Sequence, residues 1–238
     1  MITSEHSTNY NSIARDYDIH EKNAITLWHL GYWPLFKRLE PVKNKSILDY
    51  GCGSGTFCRF LYEHEAIVTG VDISENMISV AKDNYTDDIS YHQITSGNLD
   101  FLPTESFDLI VSNFVLCTIS TRLEVMKIMR SIHRVLKKDG SFSILNTNWD
   151  KSNGKGFISF RLHHCNNLYS GKSVTAVINT EPPIVLKDYF WSQADYIHLL
   201  TESGFAIQCE EEPLAIGYDM PWISENSNPP YYIVYAKK

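Results

Sequence analysis

Cysteine is sparse and unordered in this chain. The five (Cys52, Cys58, Cys117, Cys165 and Cys209) are odd in number and nowhere spaced as Cys-x-x-Cys. That pattern argues against a disulfide framework or a cysteine zinc site and for reduced thiols in a reducing compartment. No run of 18 apolar residues occurs, and Met1 to Asn9 is polar, so neither a spanning helix nor a signal-peptide core is expected. An excess of positive charge is lacking as well. Lys and Arg number 21 against 28 Asp and Glu, a net charge of −7, which excludes the basic surface of a general nucleic-acid binder. The expectation is a soluble, cytoplasmic protein without nucleic acid or membrane among its partners. With 238 residues the chain can bury a sizeable core as one large α/β domain.

What is present is organised around Ile47-Leu48-Asp49-Tyr50-Gly51-Cys52-Gly53-Ser54-Gly55-Thr56-Phe57. Ile47 and Leu48 form a short apolar run of the kind found in strands of a covered parallel sheet. Three glycines at alternate positions permit φ > 0 and let a ligand approach the main chain without meeting a Cβ. Phe57, Phe60 and Leu61 then recur at helical spacing. Strand, turn and helix together make a nucleotide-type binding corner. Two further absences narrow the ligand. Thr56 stands where a dinucleotide fingerprint needs its third glycine, and no lysine follows as in a P-loop.

The remaining pattern, acid-x-Gly-x-Gly-x-Gly, resembles the first motif of the class I S-adenosylmethionine-dependent methyltransferases. Val68-Thr69-Gly70-Val71-Asp72 supports the resemblance with a strand ending in an acid 21 residues after Gly51. Its two oxygens suit the two hydroxyls of a ribose. Gly97-Asn98-Leu99, Leu102-Pro103 and Phe107-Asp108-Leu109-Ile110 resemble later family landmarks, with Asn98 replacing the family's acid at the adenine. The resemblance covers residues 45–147 well and the rest in outline. It implies a Rossmann-like seven-stranded, mostly parallel sheet with helices on both faces and an antiparallel last strand. It also implies S-adenosyl-L-methionine as cofactor and S-adenosyl-L-homocysteine as product. The cofactor residues implied are Tyr10 and Tyr17 of a Tyr-x-x-Ile-Ala-x-x-Tyr-Asp segment, Asp49, Gly51, Cys52, Gly53, Asp72, Ile73, Met77, Asn98, Leu99, Asn113 and Phe114.

Residues 1–44 read as an N-terminal helical flap, with Pro34 expected to kink or split its second helix. Residues 45–147 read as the cofactor-binding core and 191–238 as a helix and the last two strands. Ser74, Thr121 and Ser192 are expected helix caps, and Gly140 the stop of the helix begun at Thr121. Residues 148–190 exceed a simple connection. They read as an inserted helix near Phe157 to Leu168 and a hairpin of Ser173–Ile178 with 184–190, lying over the mouth as a substrate lid or a dimerisation arm. Trp149, Tyr169, Tyr189 and Trp191 are its candidate substrate contacts. No residue is marked by motif as a general base; Tyr17, His29, His163, His164 and Tyr189 are the candidates. His163-His164-Cys165 lacks further ligands at useful spacing, so no metal is expected. Asn228-Pro229-Pro230-Tyr231 spells the motif of adenine and glutamine N-methyltransferases but precedes the wrong strand, and is read as a decoy.

The function expected is methyl transfer to an oxygen or nitrogen of a small molecule, plausible in specialised metabolism, by a monomer or homodimer. The alternatives are the same fold methylating a protein or an RNA, or a silent cofactor-binding regulatory subunit.

Overall fold

The computed structural model describes residues 8–85, 88–217 and 219–238; the polar stretch up to Ser7 lies outside them. Seven strands form the main sheet: β1 (Ser46–Tyr50), β2 (Ile67–Asp72), β3 (Ser90–Gln93), β4 (Phe107–Asn113), β5 (Leu136–Thr147), β9 (Ala206–Glu211) and β10 (Tyr231–Lys237). Their order is β3-β2-β1-β4-β5-β10-β9. The pairs from β3 to β5 are parallel, and β10 runs antiparallel to both β5 and β9. The Rossmann-like architecture implied by the sequence is therefore the one observed.

Both faces of the sheet are buried because successive side chains point to opposite sides. Ile47 joins one core with Phe57 and Leu61 of α4 (Thr56–Glu63) and Ile78 and Ala81 of α5 (Glu75–Asn84). Leu48 joins the other, with Val125, Met129 and Ile132 of α6 (Arg122–Val135) and Leu199 and Leu200 of α8 (Gln193–Glu202). Ser74, Thr121 and Ser192 cap α5, α6 and α8 as expected, the last with a full capping box through Asp195. Helix α6 does not run to Gly140. It stops after Val135, because Leu136 already pairs with Phe107 in the sheet, and Asp139 takes the left-handed turn at φ 61°.

The flap is helical. Helix α1 (Tyr10–Asn23) buries Ala14, Asp18 and Glu21 at helical spacing, so two of its three buried positions are acids. Helix α2 (Ile25–Leu27) widens into a π turn at Trp28–Tyr32 before α3 (Trp33–Leu39). The backbone stays helical through Trp28, Tyr32 and Trp33, so the helix is widened, not split, ahead of Pro34. Asn11 ties α1 to α5 by accepting from Ser74 Oγ at 2.7 Å and from the Asn76 N–H at 3.1 Å.

The insertion differs from expectation. Its only helix is the single turn α7 (Trp149–Ser152), among the described residues. The expected helix at 157–168 is instead strand β6 (Phe160–Leu162), paired with β7 (Ser173–Ile178), which pairs with β8 (Ile184–Tyr189) in a second, antiparallel sheet. Helix-like spacing of Phe157 and Phe160 loses to the ladder offered by β7, and the Asn179 side chain donates to the Phe157 and Ile158 carbonyls.

Candidate functional site

The carboxyl ends of β1, β2 and β4 open into a cavity. It lies where the strand order turns back between β1 and β4, the crevice in which open α/β sheets bind ligands. The glycine turn after β1 forms its floor. Gly51 has φ +81°, and a Cβ there would stand 2.0 Å from Val115 Cγ2. Gly53 has φ +53° and nothing within 4 Å on the side where a Cβ would project. It lines the cavity, so that open side is a cradle a side chain would fill.

Asp72, at the end of β2, is bound to the same turn. One carboxylate oxygen accepts from the Gly53 N–H at 3.0 Å and the other from the Ser74 N–H at 2.8 Å. Burial pushes its carboxyl up, and these backbone donors pull it back. Asp49, 2% exposed, has Oδ1 unpartnered, while the Cys58 thiol approaches Oδ2 at 3.4 Å. Burial pushes the Asp49 carboxyl up to about 7. Glu21 enters from α1, accepting from Ser54 Oγ at 3.1 Å and from the Tyr32 hydroxyl. Asn113, at the end of β4, has both amide atoms buried and unpartnered. Orphaned acceptors and donors of this kind mark a place where a ligand completes the hydrogen bonding.

Most residues singled out in the sequence meet here: Tyr10, Tyr17, Asp49, Gly51, Cys52, Gly53, Asp72, Ile73, Met77, Asn113 and Phe114 all line the cavity. Asn98 and Leu99 do not. The Asn98 carboxamide oxygen turns back to accept from the Asp100 N–H at 3.1 Å, and Leu99 is fully buried in the core. Ser96 lines the wall instead. Glu21 and Tyr32 escaped sequence reasoning, although an acid on the inward face of an amphipathic helix was a usable signal.

A second, smaller cavity shares Tyr10, Tyr17 and Phe114 with the first. Leu27, Phe160, Ala176, Ile178, Leu186 and Tyr231 give it apolar walls; His20, Thr147 and Asp188 are its other polar residues. Tyr231 stacks on Phe160 at 5.5 Å between centroids and meets Phe114 edge-on at 5.2 Å. The Asn-Pro-Pro-Tyr run leads into β10 and does not follow β4, yet β10 starts at the same edge of the sheet, and its tyrosine lines this cavity beside Phe114.

The aromatic residues expected at a substrate line neither cavity. Trp149 is buried in the core, and the Trp191 indole N–H donates to the Ile119 carbonyl at 2.8 Å. Tyr189 packs into the core on the α6 side, and Tyr169 is 64% exposed. Of the candidate bases, His163 and His164 are exposed, the latter bonded to Asn166 Oδ1 at 2.9 Å. His29 is half-buried with its ring edge-on to Trp222, and only Tyr17 faces the cavities. No group of three or more metal-ligating side chains occurs among the described residues, nor any helix long and apolar enough to cross a membrane.

An open α/β sheet with a glycine turn, an acid-ended second strand and a crevice at its carboxyl edge is a nucleotide-type binding site. Comparison with known proteins names the kind. Residues 48–144 match the family described as a methyltransferase domain. N-demethylindolmycin N-methyltransferase of Streptomyces griseus is 32% identical over 202 residues, covering 81% of this chain and 84% of its own. Demethylmenaquinone methyltransferase of Lactococcus lactis is 33% identical over 150 residues, 58% of this chain and 56% of its own. A solved S-adenosylmethionine-dependent methyltransferase from Mesorhizobium loti, 24% identical, has the same fold, with a TM-score of 0.65 over 89% of this chain and all of that one. The chain belongs to the class I S-adenosylmethionine-dependent methyltransferases, with S-adenosyl-L-methionine as its cofactor. The residues present fit that group: the open side of Gly53, the unpartnered amide of Asn113 and the carboxylates of Glu21, Asp49 and Asp72 suit a ligand bearing hydroxyls and positive charge.

Proposed function

We propose that the enzyme methylates a small molecule at nitrogen or oxygen, with the acceptor held in the second cavity. One observation carries the reading: that cavity is a small aromatic chamber roofed by the β6-β7-β8 sheet and sharing its wall with the cofactor cavity. Such a chamber suits a compact, planar or apolar body. The negative net charge of −7 weighs against an RNA substrate. Kinship with an enzyme that methylates the nitrogen of N-demethylindolmycin supports a small acceptor and favours nitrogen.

In this reading Asp72 holds the ribose hydroxyls, the Gly51-Cys52-Gly53 turn lies along the cofactor, and Glu21 and Asp49 offset its positive charge. When bound, the cofactor supplies an electrophilic methyl on a sulfonium. The chain's task is to hold the acceptor lone pair in line with it and to keep water away, and orientation of that kind is worth about 7–11 kcal/mol. Residues 148–190 serve as the lid and residues 1–44 as the flap. Their link is direct: the Thr8 N–H donates to the Lys187 carbonyl at 3.2 Å, and the Lys187 N–H to Thr8 Oγ1 at 2.7 Å. Methyl-labelled S-adenosylmethionine offered with a panel of arylalkyl amines, phenols and alcohols, beside protein and RNA acceptors, tests the reading. Label is expected on a small acceptor; label on RNA or protein alone would refute it.

A further inference from the structure

Strand β8 buries a carboxylate where its own pattern calls for an apolar side chain. Ile184, Leu186 and Asp188 alternate on one face of the lid sheet, opposite Ile178, Ala176 and Val174 of β7 in register. All the others are apolar. Asp188 is 7% exposed, it lines the second cavity, and its Oδ1 has no hydrogen-bond partner. An uncompensated buried carboxylate is among the more costly features a core can hold, so its presence asks for a partner.

Among the described residues, the surrounding groups do not supply one. From α1 come Tyr10, Tyr17 and His20; from β10 comes Tyr231; and from the 3-10 turn at Leu116–Thr118 comes Cys117, within electrostatic reach. Among the described residues, no lysine or arginine lines the cavity. Burial lowers His20 to about 4, which leaves its ring uncharged at neutral pH. Tyrosines and a buried thiol are neutral there as well; burial pushes both upward. The rings of Phe114, Phe160 and Tyr231 complete the lining, and aromatic rings attract cations once water is excluded.

Resting on the proposed small-molecule function, we infer that the acceptor carries a basic nitrogen, bound as its ammonium form by Asp188 in the second cavity. Asp188 is a specificity-determining residue in this inference. It selects a cationic amine over a neutral alcohol of the same shape, because only the amine satisfies Oδ1 and offsets the charge.

The test uses the full chain saturated with S-adenosylhomocysteine, with 2-phenylethylamine and 2-phenylethanol as probes, in calorimetry. Wild type is expected to bind the amine about tenfold or more tightly than the alcohol, the scale of a charge-assisted hydrogen bond. Asp188→Asn should abolish that preference. Asp188→Leu, which suits the apolar face of β8, should do the same while raising stability. In both variants the affinity for S-adenosylhomocysteine should stay within a few fold of wild type, which reports an intact fold. Equal binding of amine and alcohol by wild type, no amine binding at all, or a preference that survives both substitutions overturns the inference. Methyl transfer only to acceptors that carry no basic nitrogen also overturns it while leaving the small-molecule function standing, whereas label on RNA or protein alone would bring down both.

Discussion

Gly51 and Gly53 sit two residues apart in one turn, both at positive φ, and their substitution by alanine should have opposite consequences. The backbone term is common to the two: a Cβ in the left-handed region costs about 1–2 kcal/mol. The surroundings differ. At Gly51 the new methyl would stand 2.0 Å from Val115 Cγ2 and 3.1 Å from its Cβ and Cγ1. Relieving such overlap in a packed region costs a further ~1–3 kcal/mol. At Gly53 nothing lies within 4 Å, so no steric cost falls on the protein, and the methyl enters the cavity. Gly51→Ala is therefore expected to lower unfolding stability by roughly 2–5 kcal/mol, the sum of the two effects. Gly53→Ala should lose only the common backbone share while weakening S-adenosylhomocysteine binding. Urea denaturation followed by circular dichroism reads the first quantity and calorimetry the second. Val115→Ala supplies the control: combined with Gly51→Ala it should restore the steric share, about 1–3 kcal/mol, as coupling between the two sites. If Gly51→Ala proves no less stable than Gly53→Ala, or the coupling is nil, the turn is not packed as described. Unchanged cofactor affinity in Gly53→Ala would remove that glycine from the cradle.

Asp72→Ala removes the acceptor for the Gly53 and Ser74 N–H groups, so S-adenosylhomocysteine affinity should fall by about 1–3 kcal/mol in a folded protein; unchanged calorimetric affinity would take Asp72 out of the site. Burial holds both Asp49 and Asp188 up at about 7, above the ordinary carboxylate value of 3.8. The folded chain then binds more protons than the unfolded one between those values, so the stability these two groups contribute is fully present below about 3.8, is lost as pH rises from there through about 7, and levels off above that. The urea midpoint of the ligand-free protein, followed from alkaline to mildly acid pH, checks the sign, and Asp188→Asn should flatten the slope. Trp191→Phe leaves the buried Ile119 carbonyl without its donor and should cost about 1–3 kcal/mol of unfolding stability; a neutral result would show that the 2.8 Å bond contributes nothing.

How much of the site was legible depends on whether its signal is local. The glycine turn, Asp72 and the strand end at Asn113 are local: each needs a particular backbone conformation or chain position that short-range spacing records. The candidate substrate residues were not legible in that way. Tyr189 was chosen for its ring, whereas the cavity is lined by its neighbour Asp188. In a strand a shift of one residue exchanges the two faces, and only pairing with β7 decides which face looks inward. Asn98 shows the same limit in a turn, since its amide oxygen had two possible partners and the backbone of Asp100 took it.

From the sequence alone came the sheet with its antiparallel last strand, the caps of α5, α6 and α8, the glycine turn and the cofactor class. The caps and the turn follow from capping chemistry and steric demands that act over a few residues, whereas the sheet with its antiparallel last strand and the cofactor class came through the resemblance to a known family. Tertiary structure decided the rest. It turned 160–162 into a strand, brought Glu21 of α1 to the cavity at the carboxyl ends of β1, β2 and β4, and set Asp188 in a cavity lined by the β6-β7-β8 sheet, α1 and β10. Those placements join residues far apart in the chain, and burial of apolar surface across such distances leaves no mark in any short stretch.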